Sequence, residues 1–372
     1  MKVLIAAGGT AGHINPALAI ARGIETRWPG SEIHFAGRKN GMEARLVQKA
    51  GYPFHIIEVE GFQRKLSGRN IKRNLYAASL LLSAPGTARK MLADLPPDIV
   101  IGTGGFVSGP VLKVAASKGY KTAIHEQNAY PGVTNRLLAK KADLIFAPSE
   151  CAVARLGYPQ KTIVTGNPVR PELFEQNREE ERKKIEVADR VVLVSFGGSN
   201  GARRVNEVIA QLAQWHTKNK NFLHIHATGR IEKENFEKLA KELGIENSPN
   251  FVIKEYIDNM PALLAAADLV IGRAGASTLA ELAAVGRASV LIPSPNVAEN
   301  HQYYNAMEFE NAGAANVIEE KNLSGELLIK TVDALTAKTQ QLVQMGENAK
   351  KLAKPKALED IVEAIAKLLN KE

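Results

Sequence analysis

The chain has 372 residues, 45% of them hydrophobic, and carries 48 Lys and Arg against 39 Asp and Glu for a net charge of +9. That length exceeds the roughly 250–300 residues at which one hydrophobic core stops growing, so the chain is globular with two domains expected. The single cysteine, Cys151, excludes an internal disulfide and points to a reducing compartment, and no stretch approaches the roughly 18 apolar residues of a membrane-spanning helix.

The charge is uneven. Up to Gly166 there are 22 Lys and Arg against 10 Asp and Glu, and beyond it 26 against 29. A basic first half suits nucleic acid, an anionic membrane surface or an acidic substrate. No zinc-ligand set and no interleaving of basic with aromatic residues supports nucleic acid, which ranks last. The five-residue apolar run after Lys2 is too short for a signal peptide, so a cytoplasmic location is expected, at most touching a bilayer.

Residues 3–7 read as a strand, Gly8-Gly9-Thr10-Ala11-Gly12 as a turn, and residues 16–22 as a helix with Pro16 in its first turn. Free backbone N–H groups at a helix N-terminus face whatever lies above such a turn, which makes it an anion site. The spacing is not the dinucleotide fingerprint G-x-G-x-x-G. Glu32, at the offset where that fingerprint carries its ribose-binding acid, opens the next strand, so a nicotinamide enzyme is disfavoured. Two readings are open for His13: a neutral general base that accepts a proton from a hydroxyl, or a helix-capping histidine.

Further short apolar runs at 33–36, 56–59, 99–101, 122–125, 144–147 and 162–165 alternate with helical stretches, the pattern of a parallel sheet covered on both faces. Between them, residues 61–83 hold Arg64, Lys65, Arg69, Lys72 and Arg73 with no acidic residue, and Ile71, Leu75, Ala78 and Leu82 at helical spacing, plus Leu80 and Leu81. Basic residues around an apolar patch describe a segment lying on an anionic membrane; a helix packed on the core shares the periodicity. A second glycine cluster, residues 102–110, follows the strand at 99–101 and reads as another anion cradle or as a plain strand-to-helix turn. Two cradles at adjoining strand ends suit a pyrophosphate. Glu126-Gln127-Asn128 and then Pro131-Gly132-Val133-Thr134-Asn135-Arg136 follow the strand ending at His125, and so many hydrogen-bonding side chains at a strand's C-terminal end suit a polar ligand such as a sugar. His125 itself is expected to be buried and satisfied, and Cys151 is expected to be a helix-face or core thiol, not a nucleophile.

Residues 171–190 carry a charge block at 179–184 and read as an inter-domain connector plus an exposed helix. The pattern then restarts with strands at 191–196, 222–227, 251–254, 269–271, 289–292 and 315–318, which predicts a second doubly wound domain. Its first turn, Gly197-Gly198-Ser199-Asn200-Gly201, repeats the grammar of the first and leads into a helix over 202–212; Ser199 is placed to donate to a phosphate. After the strand at 269–271, small residues up to Glu281 let a diphosphate approach a helix N-terminus, with Glu281 either holding a ribose diol or complementing the helix dipole. Arg170, in Gly166-Asn167-Pro168-Val169-Arg170, puts a permanent positive charge at the hinge. The last helix, 357–369, has an apolar stripe that must bury against something, the first domain being the candidate.

At these residues the sequence resembles the MurG family of peptidoglycan N-acetylglucosaminyltransferases. The likeness runs through residues 8–17 and 104–110, His125 to Asn128 with Thr134-Asn135, then residues 166–170, 197–202 and 273–281, and His301-Gln302-Tyr303-Tyr304-Asn305-Ala306. It spans nearly the whole chain, and the ordered set is specific where any one piece is not. The resemblance implies an α/β GT-B fold: an acceptor-binding Rossmann-like domain over 1–168, a UDP-sugar-binding one over 169–352, a cleft between them, and a helix over 353–372 returning to the first. It implies UDP-N-acetylglucosamine as donor and a polyprenyl-pyrophosphate-linked muramoyl-pentapeptide as acceptor, at the cytoplasmic face of the membrane. Donor contacts implied by motif position are Thr10, Ala11, Gly12, Asn128, Arg170, Ser199, Ile257, Ala276, Ser277, Thr278, Leu279, Ala280, Glu281 and Gln302. Ile257 would present backbone to uracil, Glu281 would hold the ribose and Gln302 the sugar hydroxyls. Gly12, His13, Gly104 and Gly105 would hold the acceptor pyrophosphate.

The implied reaction is inverting displacement by the muramoyl 4-hydroxyl, with His13 as base, Glu126 as the second candidate, and no metal or other cofactor, because helix N-termini stabilise the leaving diphosphate. Two residues depart from the usual family pattern: Ala11 stands where glycine is common and Phe106 where tyrosine is. A diacylglycerol glycosyltransferase, a UDP-N-acetylglucosamine 2-epimerase and a non-catalytic nucleotide-sugar sensor are the competing readings.

Overall fold

The structure is a computed structural model that describes residues 1–61, 68–217 and 221–371. Arg64, Lys65 and the side chain of Arg69 lie outside what is described. The chain divides into two compact units, Met1–Val169 with Lys356–Glu372, and Arg170–Pro355.

The first unit runs β1 (Lys2–Ala7), α1 (Ala11–Arg27), β2 (Glu32–Gly37), α2 (Met42–Lys49), β3 (Phe54–Ile56), α3 (Gly68–Asp94) and β4 (Ile99–Gly104). It continues α4 (Gly105–Ser117), β5 (Lys121–His125), α5 (Val133–Ala139), β6 (Leu144–Ala147), α6 (Glu150–Leu156) and β7 (Thr162–Val164). The second begins α7 (Glu172–Glu175), α8 (Arg178–Lys184), β8 (Val191–Phe196), α9 (Arg203–His216), β9 (Phe222–Ala227), α10 (Lys233–Glu242), β10 (Phe251–Lys254), α11 (Met260–Ala266) and β11 (Leu269–Gly272). It ends α12 (Ala276–Val285), β12 (Ala288–Leu291), α13 (His301–Asn311), β13 (Ala315–Val317), α14 (Gly325–Thr336) and α15 (Thr339–Lys351), before α16 (Ala357–Leu369) joins the first unit.

The strands form two parallel sheets of the same winding, β3-β2-β1-β4-β5-β6-β7 and β10-β9-β8-β11-β12-β13. Their central strands are buried on both faces, which is why they read as unbroken apolar runs instead of alternating ones. In each sheet the order reverses between two neighbours, β1 and β4 in one, β8 and β11 in the other. Ligands of open α/β sheets bind at the carboxyl ends of the strands at such a switch point, and all four glycine-rich or small-residue turns open there.

Three details differ from the sequence reading. β3 lies at Phe54–Ile56, not 56–59; Ile57 N still bonds Gly37 O of β2 at 2.9 Å, and Ile57 and Val59 are buried beyond the strand's end, which gives the stretch the composition of a longer strand. α1 starts at Ala11, so Pro16 is its sixth residue and buried, not part of its first turn; the turn's last two residues are already helical. The 171–190 segment, read as a connector with an exposed helix, lies in the second unit. Glu179, Glu180, Lys183 and Lys184 are exposed as read, but the arginines are not: Arg178 and Arg182 both engage Asp268, which also accepts from Val192 N at 2.7 Å, and Arg182 caps the carbonyls of Ala266 and Arg190. A segment two of whose arginines fold onto one partly buried acid looks, in sequence, like any exposed helix.

The apolar stripe that the sequence marks on α3 is not packed on the core. Ala77, Ala84, Ala88 and Leu92 face the core, while Ile71, Leu75 and Leu82 are exposed at 52%, 67% and 83%, beside exposed Lys72 and Arg73. α16 lies on α1, where Leu358 and Val362 crowd Gly23 so closely that a Cβ there would sit 2.8 Å from Leu358 Cδ1.

Candidate active site: glycine turns at the two switch points

In the first unit the turn after β1 and the turn after β4 meet. A Cβ at Gly105, whose φ is +79°, would lie 2.2 Å from Gly8 O, and one at Gly104, with φ +111°, would lie 2.7 Å from His13 Nδ1. Glycine at both positions is therefore set by close approach as well as by backbone. The first helical bonds of α1 are His13 N and Ile14 N to Thr10 O, so the amides of Ala11 and Gly12 form its open end. Ala11 avoids the positive-φ region that Gly9 occupies at +94°, which is why alanine is accommodated there.

The cradle is narrower than the sequence implies, because Gly9 N donates to Glu43 Oε2 at 3.2 Å. Glu43, fully buried, also accepts from Arg38 N and Nε and fills the space against Gly8, Gly37 and Gly41. Sequence reasoning missed it: an acid at the start of α2 is thirty-four positions from the amide it holds.

Behind the turns lies a buried polar network. Glu126 Oε1 accepts from Gln127 N, Asn128 N and Asn128 Nδ2, and its Oε2 from Gly132 N and Asn135 Nδ2. Both oxygens of the second base candidate are thus occupied by five N–H donors, and the side chain is sealed from solvent at 1% exposure. That is the geometry of a clamp on the loop after β5, not of a group free to take a proton from substrate. His13 differs: Nδ1 meets Gln127 Oε1 at 2.9 Å, and Nε2 has no protein partner among the described residues. Thr103 Oγ1 donates to His13 O at 2.8 Å, which ties α1 to β4. His125 is buried as expected but not fully satisfied, since its Nε2 has no hydrogen-bond partner among the described residues, and burial pushes its imidazole down to about 4. Phe106 is half exposed and its ring lies over Gly61. Arg155 and Arg136 pack their guanidinium groups on Tyr130, fixing the far side of the same loop.

In the second unit a cavity of ≈ 540 Å³ opens at the switch point between β8 and β11. Gly197, Gly198, Gly201 and Ala202 form one wall, Gly275 and Thr278 the start of α12 on the other, with Arg203, Arg204, Ser294, Gln302 and Glu320 around them. Gly201, with φ +87°, presses on the loop after β9, where a Cβ would lie 2.2 Å from Thr228 O, and Arg230 N and Ile231 N bond to Ser199 O and Asn200 O. The turn is therefore held from below with the Ser199 side chain exposed above it.

Of the residues singled out in this half, Thr278 and Gln302 line the cavity, and Gln302 Oε1 accepts from Ser294 N at 2.9 Å. Ala276, Ser277 and Ala280 share the first turns of α12 with Thr278, while Leu279 turns into the core. Glu281 lies a turn further on, and Arg170 Nη2 approaches its Oε1 at 3.5 Å. Burial raises the Glu281 carboxyl above its ordinary range, against the opposing pull of Arg170. Ile257 is buried, in the segment after β10. Thr10, Ala11, Gly12 and Asn128 belong to the first unit. Two residues that sequence reasoning did not assign shape the cavity: Arg273 pairs with Glu320 and donates to Ile292 O and Pro293 O, and Arg204 donates to Leu323 O. Among the described residues no group of three or more His, Cys, Asp or Glu is gathered as a metal site.

Comparison with known proteins fits this geometry. Residues 3–147 match the glycosyltransferase family 28 N-terminal domain and residues 191–361 its C-terminal domain. A curated relative from Desulforamulus reducens is 41% identical over 375 residues, covering 100% of both chains, and one from Acetivibrio thermocellus is 44% identical over 370 residues, covering 99% of this chain and 98% of the other. Both are named UDP-N-acetylglucosamine–N-acetylmuramyl-(pentapeptide) pyrophosphoryl-undecaprenol N-acetylglucosamine transferase. The chain belongs to the MurG family. The crystal structure of Acinetobacter baumannii MurG superposes with a TM-score of 0.77 at 29% identity, covering 98% of this chain and 99% of that one. A Neisseria meningitidis UDP-GlcNAc 2-epimerase shares the fold, with a TM-score of 0.66, at only 15% identity. The family's two Rossmann-like domains of the GT-B class are the two units described above.

Proposed function

We propose that this chain transfers N-acetylglucosamine from UDP-N-acetylglucosamine to the muramoyl 4-hydroxyl of an undecaprenyl-diphospho-muramoyl-pentapeptide, a step of peptidoglycan synthesis. The observation that carries the reading is full-length identity of 41% and 44% to relatives named for this transfer. The same relatives set aside the epimerase, whose structural likeness extends to the fold alone.

In the mechanism we favour, the hydroxyl oxygen attacks the anomeric carbon while the bond from that carbon to the UDP β-phosphate oxygen breaks on the opposite face, so the configuration inverts. The electron pair leaves with UDP, and the hydroxyl proton passes to His13 Nε2. The amide end of α12, the Gly197–Gly201 turn with Ser199, and the nearby arginines supply positive charge to the departing diphosphate, with no metal or other cofactor in the step. Glu281 takes the ribose, Gln302 the sugar hydroxyls and the Ile257 backbone the uracil. Gly12 and His13, with Gly104 and Gly105, face the acceptor pyrophosphate, while Thr10, Ala11, Gly12 and Asn128 reach the donor. The exposed Ile71, Leu75 and Leu82 with Lys72 and Arg73 seat the first unit on the anionic cytoplasmic face of the membrane, where that acceptor resides.

The test is transfer of radiolabelled N-acetylglucosamine from its UDP donor to a short-chain polyprenyl-diphospho-muramoyl-peptide, with and without EDTA. Product formation at an unchanged rate in chelator is expected. Epimerisation of the donor without acceptor, or turnover only with diacylglycerol, would replace the reading, and inhibition by chelator would remove the metal-free scheme. His13→Ala is expected to abolish transfer while UDP-N-acetylglucosamine still binds; unchanged turnover would strike His13 as the base.

A further inference from the structure

We infer that Gln127 is a positioning residue that fixes the tautomer of His13, so that Nδ1 carries the proton and Nε2 presents a lone pair to the acceptor hydroxyl. The inference rests on the reading of His13 as base and adds to it the residue through which the fold prepares that base.

The side-chain amide of Gln127 has no freedom of orientation. Gln127 Nε2 lies 2.8 Å from Thr103 O and 2.9 Å from His125 O, two backbone carbonyls that can only accept, and 2.8 Å from the ring Nδ1 of His125. Turning the amide over would set its oxygen against both, so Nε2 must face them and Oε1 must face away. Oε1 is what meets His13 Nδ1, at 2.9 Å. An amide oxygen has no proton to give, so Nδ1 must be the donor and the neutral ring keeps its lone pair on Nε2.

Every other polar group of Gln127 is also used. Its N donates to Glu126 Oε1 and its O accepts from Asn167 Nδ2, and the side chain is buried at 3% exposure. The ring it addresses is held too. Gly104 lies flat against it, with room for no Cβ, and the His13 carbonyl is bonded to Thr103. The ionisable groups around it do not compete for the tautomer: His125, behind Gln127, is kept neutral by burial, and the Glu126 carboxylate points to Asn128, Gly132 and Asn135. A neutral amide in this place, where a carboxylate would stabilise the imidazolium, leaves the ring able to hand its proton on after the transfer.

The test reads the tautomer directly. Long-range ¹H–¹⁵N correlation on the ¹⁵N-labelled chain, with the His13 signals identified by their loss in His13→Ala, is expected to show a protonated Nδ1 and an unprotonated Nε2 at neutral pH. A wild-type ring protonated at Nε2 would overturn the inference without recourse to any Gln127 variant. In Gln127→Met the tautomer is expected to shift towards Nε2–H, and kcat to fall by about 10² with the donor KM held within about twofold. A Gln127→Met chain with wild-type kcat and spectrum removes the role of Gln127 alone. Full turnover in His13→Ala removes instead the base reading beneath it, so the two failures are distinct.

Discussion

Five N–H groups converge on Glu126, which makes this carboxylate the stay of the whole loop after β5. Glu126→Ala would leave buried donors unpaired at about 1–3 kcal/mol each, so the variant is expected to lose stability together with activity, and a urea midpoint will show it. Glu126→Gln is expected to fare little better, because an amide nitrogen would face donors at one of the two oxygen positions. A loss of turnover with an unchanged midpoint would return Glu126 to the list of bases. Gly105→Ala is expected to be as damaging for a steric reason: its Cβ would meet Gly8 O at 2.2 Å on a backbone with φ +79°. The residues of this site are legible in sequence to the extent that they cluster along the chain: the glycines, His13, and the run from His125 to Asn128 all stand out. Their division of labour is not. Glu126 and Gln127 differ in role because of partners up to 114 positions away, and Glu43 is joined to Gly9 by a contact that no local pattern signals.

Among the elements, β9 carries an unusual load: His224 and His226 point to Ser195 on β8, and His216 of α9 bonds His224 at 2.8 Å. All three are kept neutral by burial, His216 pushed down to about 4, His226 to about 3 and His224 well below its ordinary value. Their sign is that of a group more easily protonated when unfolded. Below about pH 6.5 the unfolded chain binds protons that the fold refuses, so stability falls as pH falls, by up to about 1.4 kcal/mol per unit for each histidine, until the folded values near 4 and 3 are reached. Urea midpoints at pH 7.5, 6 and 5 are expected to fall more steeply in the wild type than in His216→Phe, which keeps the stack on Phe222; parallel slopes would refute the assignment. α3 makes a second prediction at this scale. Replacing Leu75 and Leu82 by Ser is expected to weaken flotation with anionic vesicles while leaving the core intact, since both side chains point outward. Periodicity alone placed these residues on one face but could not say which way it turned, because a membrane-facing stripe and a core-facing one have the same period. The strands were readable because continuous burial makes them continuously apolar; the start of α1 was not, because glycine and threonine are weak helix signals and the turn passes into the helix without a break.

At the scale of the molecule, the duplication of strand, glycine turn and helix was visible in the sequence, and it carries the two-unit organisation. For the apolar stripe of the last helix the sequence named the first domain as the candidate surface, without the residues it covers. In the structure α16 completes the first unit, with Ile361 and Ile365 fully buried among Ile14, Ala17, Ile20 and Ile24 and the rest of that core. Burying each isoleucine contributes about 1.5–3 kcal/mol, and Gly23 on α1 leaves the space into which Leu358 fits. Ending the chain after Pro355 would strip this cover from the first unit, while the cavity between β8 and β11 draws its lining entirely from the second. The truncated chain is therefore expected to melt in two steps, the earlier one belonging to the first unit. UDP should raise only the later step, by about 2.7 kcal/mol at a hundredfold excess over its dissociation constant. Gly23→Leu in the full-length chain is expected to lower the same early step by forcing α16 off α1, with UDP again shifting only the later one. Calorimetry with and without nucleotide reads both variants, and a UDP shift that disappears on truncation would mean that the last helix supports the nucleotide site and not only the first unit.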